Sequence, residues 1–191
     1  MRQILIILSS IITISATLPY IVDILKRKTK PRVVSWFTWA LLGGISAAAS
    51  LSDHQYAAGI LSLSASVECL AVVILGLKYG NKEFALFDIA CQFGAIVGLI
   101  LWFIFNSPAI AVLASITIDL IGSMPTLKHA WQRPYEETWI TFALSGLGAV
   151  FASFAATSTR ITAIASPLYL IVINLIFTVV LLSRHKIIRV L

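Results

Sequence analysis

The chain has 191 residues, 59% of them hydrophobic and only 12% charged, with a mean hydropathy of +0.97. A soluble domain of this size needs far more polar surface, so a soluble enzyme or binding module is excluded. The net charge of +6 lies between apolar runs rather than along one face, which argues against nucleic acid as a partner and leaves membrane lipid as the surroundings.

Apolar runs recur at about the 20-residue length that crosses a hydrocarbon core about 30 Å thick. Lipid offers no hydrogen bonds, so each run must satisfy its own backbone as a helix. Run length and the lack of strict alternation exclude a transmembrane barrel. The pattern predicts seven helices, over 4–25, 33–51, 56–77, 84–105, 109–127, 138–156 and 161–182. The first carries a row of Ser and Thr, then Pro19, Tyr20 and Asp23. It is too long, and lacks the small-residue cleavage site, for a signal peptide, so it is read as retained. Asp23 and Arg27, four apart, read as a local ion pair. The second opens with Ser35, Trp36 and Trp39 after the basic segment LKRKTKPR. The third holds Glu68 among Ser64, Ser66 and Cys69; the fourth holds Asp88 and, one turn on, Gln92. The fifth carries Asp119 and Pro125, the sixth begins at Trp139, and the seventh contains Asn174. The two cysteines, Cys69 and Cys91, both fall inside apolar runs and read as packing residues, not a disulfide.

Seven spans put the termini on opposite sides. Of the 14 Lys and Arg, only Arg2 and Arg160 fall on the side of the N-terminus. The positive-inside rule therefore expects the N-terminus outside and the C-terminus in the cytoplasm. The compact chain, without targeting signals, points to a bacterial inner (plasma) membrane.

The segments KPRVVSWFTWALLG and RPYEETWITFALSG, starting at Lys30 and Arg133, match at six of 14 positions: Pro31/Pro134, Trp36/Trp139, Thr38/Thr141, Ala40/Ala143, Leu41/Leu144 and Gly43/Gly146. Unrelated segments would match at about one position. Shared helix-start chemistry would explain Ser35 and Thr138 but not the rest. Pro19 and Pro125 also correspond, as do Lys78 and Arg184. The expected organisation is two parallel three-helix repeats, 1–82 and 108–191, joined by a connecting helix within 83–107. Parallel repeats of this kind occur in secondary transporters, with the substrate held near the midplane.

A Pro near the end of the first helix, a basic loop and a Ser/Thr opening the second resembles the PQ-loop pattern. The chain is similar in this to the PQ-loop, SWEET and PnuC-type transporters, whose fold is a 3+1+3 parallel repeat. The Gln of the PQ pair is Tyr20 in one repeat and Thr126 in the other. The pair Trp36 and Trp39 resembles a W-x-x-W of the PnuC group. The resemblance implies a carrier of a small polar solute, such as a sugar, vitamin or nucleoside, or amino acid, by facilitation or with proton coupling. It implies Pro19 and Pro125 as hinges, and a central pocket with Glu68 and Asn174 as its leading pair.

Intramembrane acids are costly, about 2.5–3.5 kcal/mol each on insertion scales, and mark cavities or partners. Glu68, Asp119 and Asp88 are therefore candidate proton sites, and Glu68 and Asp119 candidate solute contacts as well. The alternative for each is a neutral acid that fastens helices together. Trp36, Trp39 and Tyr20 are candidate stacking residues, with interfacial anchoring as the alternative for the tryptophans. The histidines lack metal-ligand spacing, and no catalytic or phosphate-binding motif occurs, so no enzyme, cofactor or metal site is expected. A receptor or an assembly factor on the same fold is the alternative to a carrier, and self-association into a homo-oligomer is compatible with either. A fluorescent protein that matures only in the cytoplasm should glow when fused to the C-terminus, and an N-terminal epitope should be reached by antibody on intact cells.

Overall fold

The computed structural model describes the backbone of residues 1–80 and 86–190; the side chains of 87, 88, 91, 92, 95, 98, 99, 102, 103, 125 and 186–190 lie outside the description. The elements run α1 (Arg2–Leu25), α2 (Val33–Ser52), α3 (Tyr56–Tyr79), α4 (Leu86–Phe105), α5 (Pro108–Gln132), a 3-10 turn (Pro134–Glu136), α6 (Trp139–Ala155) and α7 (Ile161–Val190), with no strand among the described residues. Among the described residues five helices are long and apolar enough to cross a membrane: α1, α2, α3, α5 and the Ile161–His185 part of α7. They mark the chain as an integral membrane protein. The apolar α6 is shorter, at 17 residues. The expected start of the fourth helix and the 82/83 boundary fall outside the described residues.

Local chemistry sets the ends. Helix α5 begins with Pro108 at its first position, where the missing N–H costs nothing. It runs five residues past the expected end and stops just ahead of Pro134, which cannot continue it. Helix α7 likewise continues beyond its apolar run into polar residues, because a helix need not stop where the hydrocarbon does. Arg27, His54 and Asn106 take left-handed backbone angles (φ 57°, 58° and 47°) at the three tight connections. Because α1 has ended by Arg27, the expected Asp23–Arg27 pair does not form in helical register; the Asp23 carboxylate instead accepts a hydrogen bond from Thr138, at 2.8 Å.

Burial differs from that of a soluble protein: beside an apolar core that includes Ile24, Leu61 and Leu181, the surface is apolar as well. Large apolar side chains such as Ile4, Ile74, Ile104 and Phe154 face outward, and hydroxyls such as Ser9, Thr13, Ser50 and Ser62 are buried. In one group of three, α3 lies between α1 and α2; in the other, α7 lies between α5 and α6. The groups meet through α1 against α6, α2 against α5, and α3 against α7, while α4 packs on α5 and α2. Small residues let these helices close in. Gly43 sits over the α3 backbone, where an added Cβ would lie 3.2 Å from the Ser62 carbonyl. On α6, a Cβ at Gly148 would collide with the Thr13 hydroxyl and lie 3.1 Å from the Ser9 carbonyl. Replacing Gly148 with Val should force α1 from α6 and lower stability by about 1–3 kcal/mol, read as a fall in thermal midpoint in detergent.

Candidate functional site

A cavity of about 120 Å³ lies where the two groups of helices meet. Each group supplies acids, amides, hydroxyls or rings to its wall. From α3 come Glu68 and Cys69, and from α2 Trp36, Trp39 and Ser46. From α5 come Asp119 and Ser115, from α6 Thr141, Phe142 and Ser145, and from α7 Ser166, Tyr169, Asn174 and Phe177.

Glu68 is buried and bonded from two other helices: Thr17 on α1 donates at 2.8 Å and Ser145 on α6 at 3.3 Å. Its carboxyl thus joins α3 to a neighbour in its own group and to a helix of the other. Asp119 accepts from the Tyr169 hydroxyl. The Asn174 amide N–H donates to the Leu170 carbonyl one turn back, at 2.8 Å, leaving its amide oxygen for the cavity. Thr13, Thr141 and Ser166 are among the lining residues, and their buried hydroxyls have no hydrogen-bond partner among the described residues. These hydroxyls are packed against neighbouring helices, Thr13 against Gly148, and not open to the cavity.

Aromatic rings close the cavity toward the basic end of the bundle. Trp36 meets Trp39 edge-on at 5.1 Å, Trp39 meets Phe177 at 6.5 Å, and Phe177 stacks on Phe142 at 4.5 Å. Tyr20 stands one layer behind this row and is not among the lining residues. It is fully buried, packs on Trp36 at 4.8 Å and donates to Glu137 at 3.0 Å.

Polar ties between the two groups occur at both ends. At the basic end, Tyr20 bonds Glu137, while Thr138 bonds Asp23 and lies 3.3 Å from Thr29. At the opposite end, Arg160 pairs with Asp53 at 3.0 Å, Thr162 also bonds Asp53, and Ser158 bonds Gln55. Arg2 reaches the Ala155 carbonyl beside them, at 3.0 Å.

Five of the sequence candidates, Glu68, Asn174, Asp119, Trp36 and Trp39, therefore share one cavity wall. Pro19 lies inside α1. The side chains of Asp88 and Pro125 are outside the described residues. Sequence reasoning missed Glu137, Tyr169, Phe142 and Phe177 as site residues. Phe142 was within reach, since it occupies the place of Trp39 in the matched segments. The spacing that pairs Glu68 with Asn174 also pairs Thr13 with Asp119 and Thr17 with Ser123, which would have singled out the α1 hydroxyls. Glu137 has no such signal, because Val34 is its counterpart.

No protein-family model, curated protein or solved structure matches the chain.

Glu137 lies in the connection before α6, outside the membrane-spanning segments. Burial pushes its carboxyl up to about 7, against the Tyr20 hydrogen bond, which favours the ionised form; the neighbouring Glu136 adds to the rise. A carboxyl whose folded value is raised keeps its proton in the folded state after the unfolded chain has lost it. Its contribution is present in full below about 4.5 and is lost as the pH rises to about 7. Subtracting the stability curve of Glu137→Gln from that of the parent should leave a decline across that interval, on the order of 3 kcal/mol. A flat difference would contradict the burial of the Glu137 carboxyl.

Proposed function

We propose that the protein is a membrane carrier that moves a small polar solute by alternating access. On this reading it has seven spans with its N-terminus outside, built as two parallel three-helix units, 1–82 and 108–191, around a connecting helix within 83–107. It is then a relative in fold of the PQ-loop, SWEET and PnuC-type transporters. The observation that carries the proposal is the cavity shared by both groups of helices, with Glu68, Asp119 and Asn174 at its wall. Polar and ionisable groups are kept in an apolar bundle at a cost, and a solute path is the ordinary reason.

The packing supports the duplicated reading. Exchanging α1, α2 and α3 for α5, α6 and α7 turns the α1–α6 pairing into the α5–α2 pairing, and α2–α3 into α6–α7, all of which occur. The polar ties support gating. Those at the basic end and those at the opposite end both span the two groups, so releasing one set while keeping the other would open the cavity to one side only. Pro19 and Pro125 are the hinges on this account, because each removes a helix hydrogen bond.

In proteoliposomes loaded against a panel of labelled small metabolites, the parent chain should take up at least one solute, saturably. Glu68→Gln should cut that uptake by about tenfold or more while the circular dichroism and monodisperse elution stay unchanged. Uptake equal to the parent's in that variant would remove Glu68 from the path.

A further inference from the structure

The cavity is of opposite sign to the chain that encloses it. The protein carries a net charge of +6, yet the described lining residues include two carboxyls, Glu68 and Asp119, and no Lys, Arg or His. Among the described residues the hydrogen-bond partners of these carboxyls are neutral hydroxyls: Thr17 and Ser145 on Glu68, and Tyr169 and Ser123 on Asp119. Neither acid has an ion-pair partner among the described residues. A buried carboxylate served only by hydroxyls lacks a counter-charge, and an anionic solute would meet repulsion there.

The rest of the wall narrows the choice. The aromatic residues Trp39, Phe142 and Phe177 line the cavity, and aromatic rings attract cations. The Asn174 amide oxygen at the wall calls for at least one hydrogen-bonding group on the solute. A volume of about 120 Å³ is slightly below that of an apolar cavity that takes a single benzene ring, which limits the occupant to about one ring's bulk.

We infer that the solute is a small organic cation, an amine or quaternary ammonium of about one ring's size bearing a hydroxyl or amide, with its charge between Glu68, Asp119 and the aromatic row. The inference rests on reading the cavity as a solute site, and it does not require that the solute be transported.

The test uses the full chain in detergent and matched probes: choline against its uncharged isostere 3,3-dimethylbutan-1-ol, benzylammonium against benzyl alcohol, and glucose and lactate as neutral and anionic solutes. At least one cation should raise the thermal midpoint saturably, and its isostere should not. Glu68→Gln should weaken that cation by about tenfold or more. Asp119→Asn gives the same reading should the first variant fail to fold. Equal effects of cation and isostere overturn the inference, as does stabilisation by glucose or lactate alone, or no effect of either cation. Cation binding without vesicle flux would sink the carrier reading and leave this inference standing. Flux of glucose without cation binding would do the reverse.

Discussion

Lipid offers no hydrogen-bond partners, and everything else in this protein follows from that. A polar side chain that enters the apolar length of the bundle can find a partner only inside. Glu68 is the clearest case. Its carboxyl is bonded by Thr17 and Ser145, so satisfying one acid draws α1, α3 and α6 together. An unsatisfied group there would cost several kcal/mol, comparable to much of a domain's net stability. The outer surface meanwhile carries residues such as Ile74 and Phe154, which suit hydrocarbon.

The same constraint explains why the two groups of helices hold together without a large apolar core. Apolar burial between helices gains little in lipid, so close packing and hydrogen bonds must do the joining. Glycines such as Gly148 and Gly43 permit the approach. The polar ties then sit at the two ends: Tyr20, Asp23 and Thr138 at one, Asp53, Arg160 and Thr162 at the other, where water reaches the Arg160–Asp53 pair. Contacts that water can replace are cheap to break. The proposed carrier needs that, since it must open one end at a time around a fixed centre.

Much of this was legible in the sequence. Most helix ends came within a few residues, because a run of apolar residues in lipid can only be a helix, whereas α7 runs eight residues past its expected end and the start of α4 lies outside the described residues. Glu68, Asp119 and Asn174 stood out because polar residues amid such runs are rare, and they do line one cavity. What was not legible depends on which helices touch. Asp23 was paired on paper with Arg27, its neighbour in sequence, whereas its partner Thr138 lies at the start of α6. Tyr20 was grouped with the pocket, yet it packs behind Trp36 and turns to Glu137. Tyr169 and Phe177 look like ordinary membrane-helix aromatics until α7 is set against α5 and α2. Periodicity fixes the faces of each helix but not the neighbour across from it.

The central claim is that the polar centre is an aqueous solute site reached in turn from each side. Cys69 offers a native reporter, since its thiol is free, buried and at the cavity wall. With Cys91 replaced by Ser, a small membrane-impermeant thiol reagent should modify Cys69 when applied to either face of sealed, oriented vesicles, and a bound solute should slow both reactions. Modification from neither face, or at a rate no solute changes, would contradict the account.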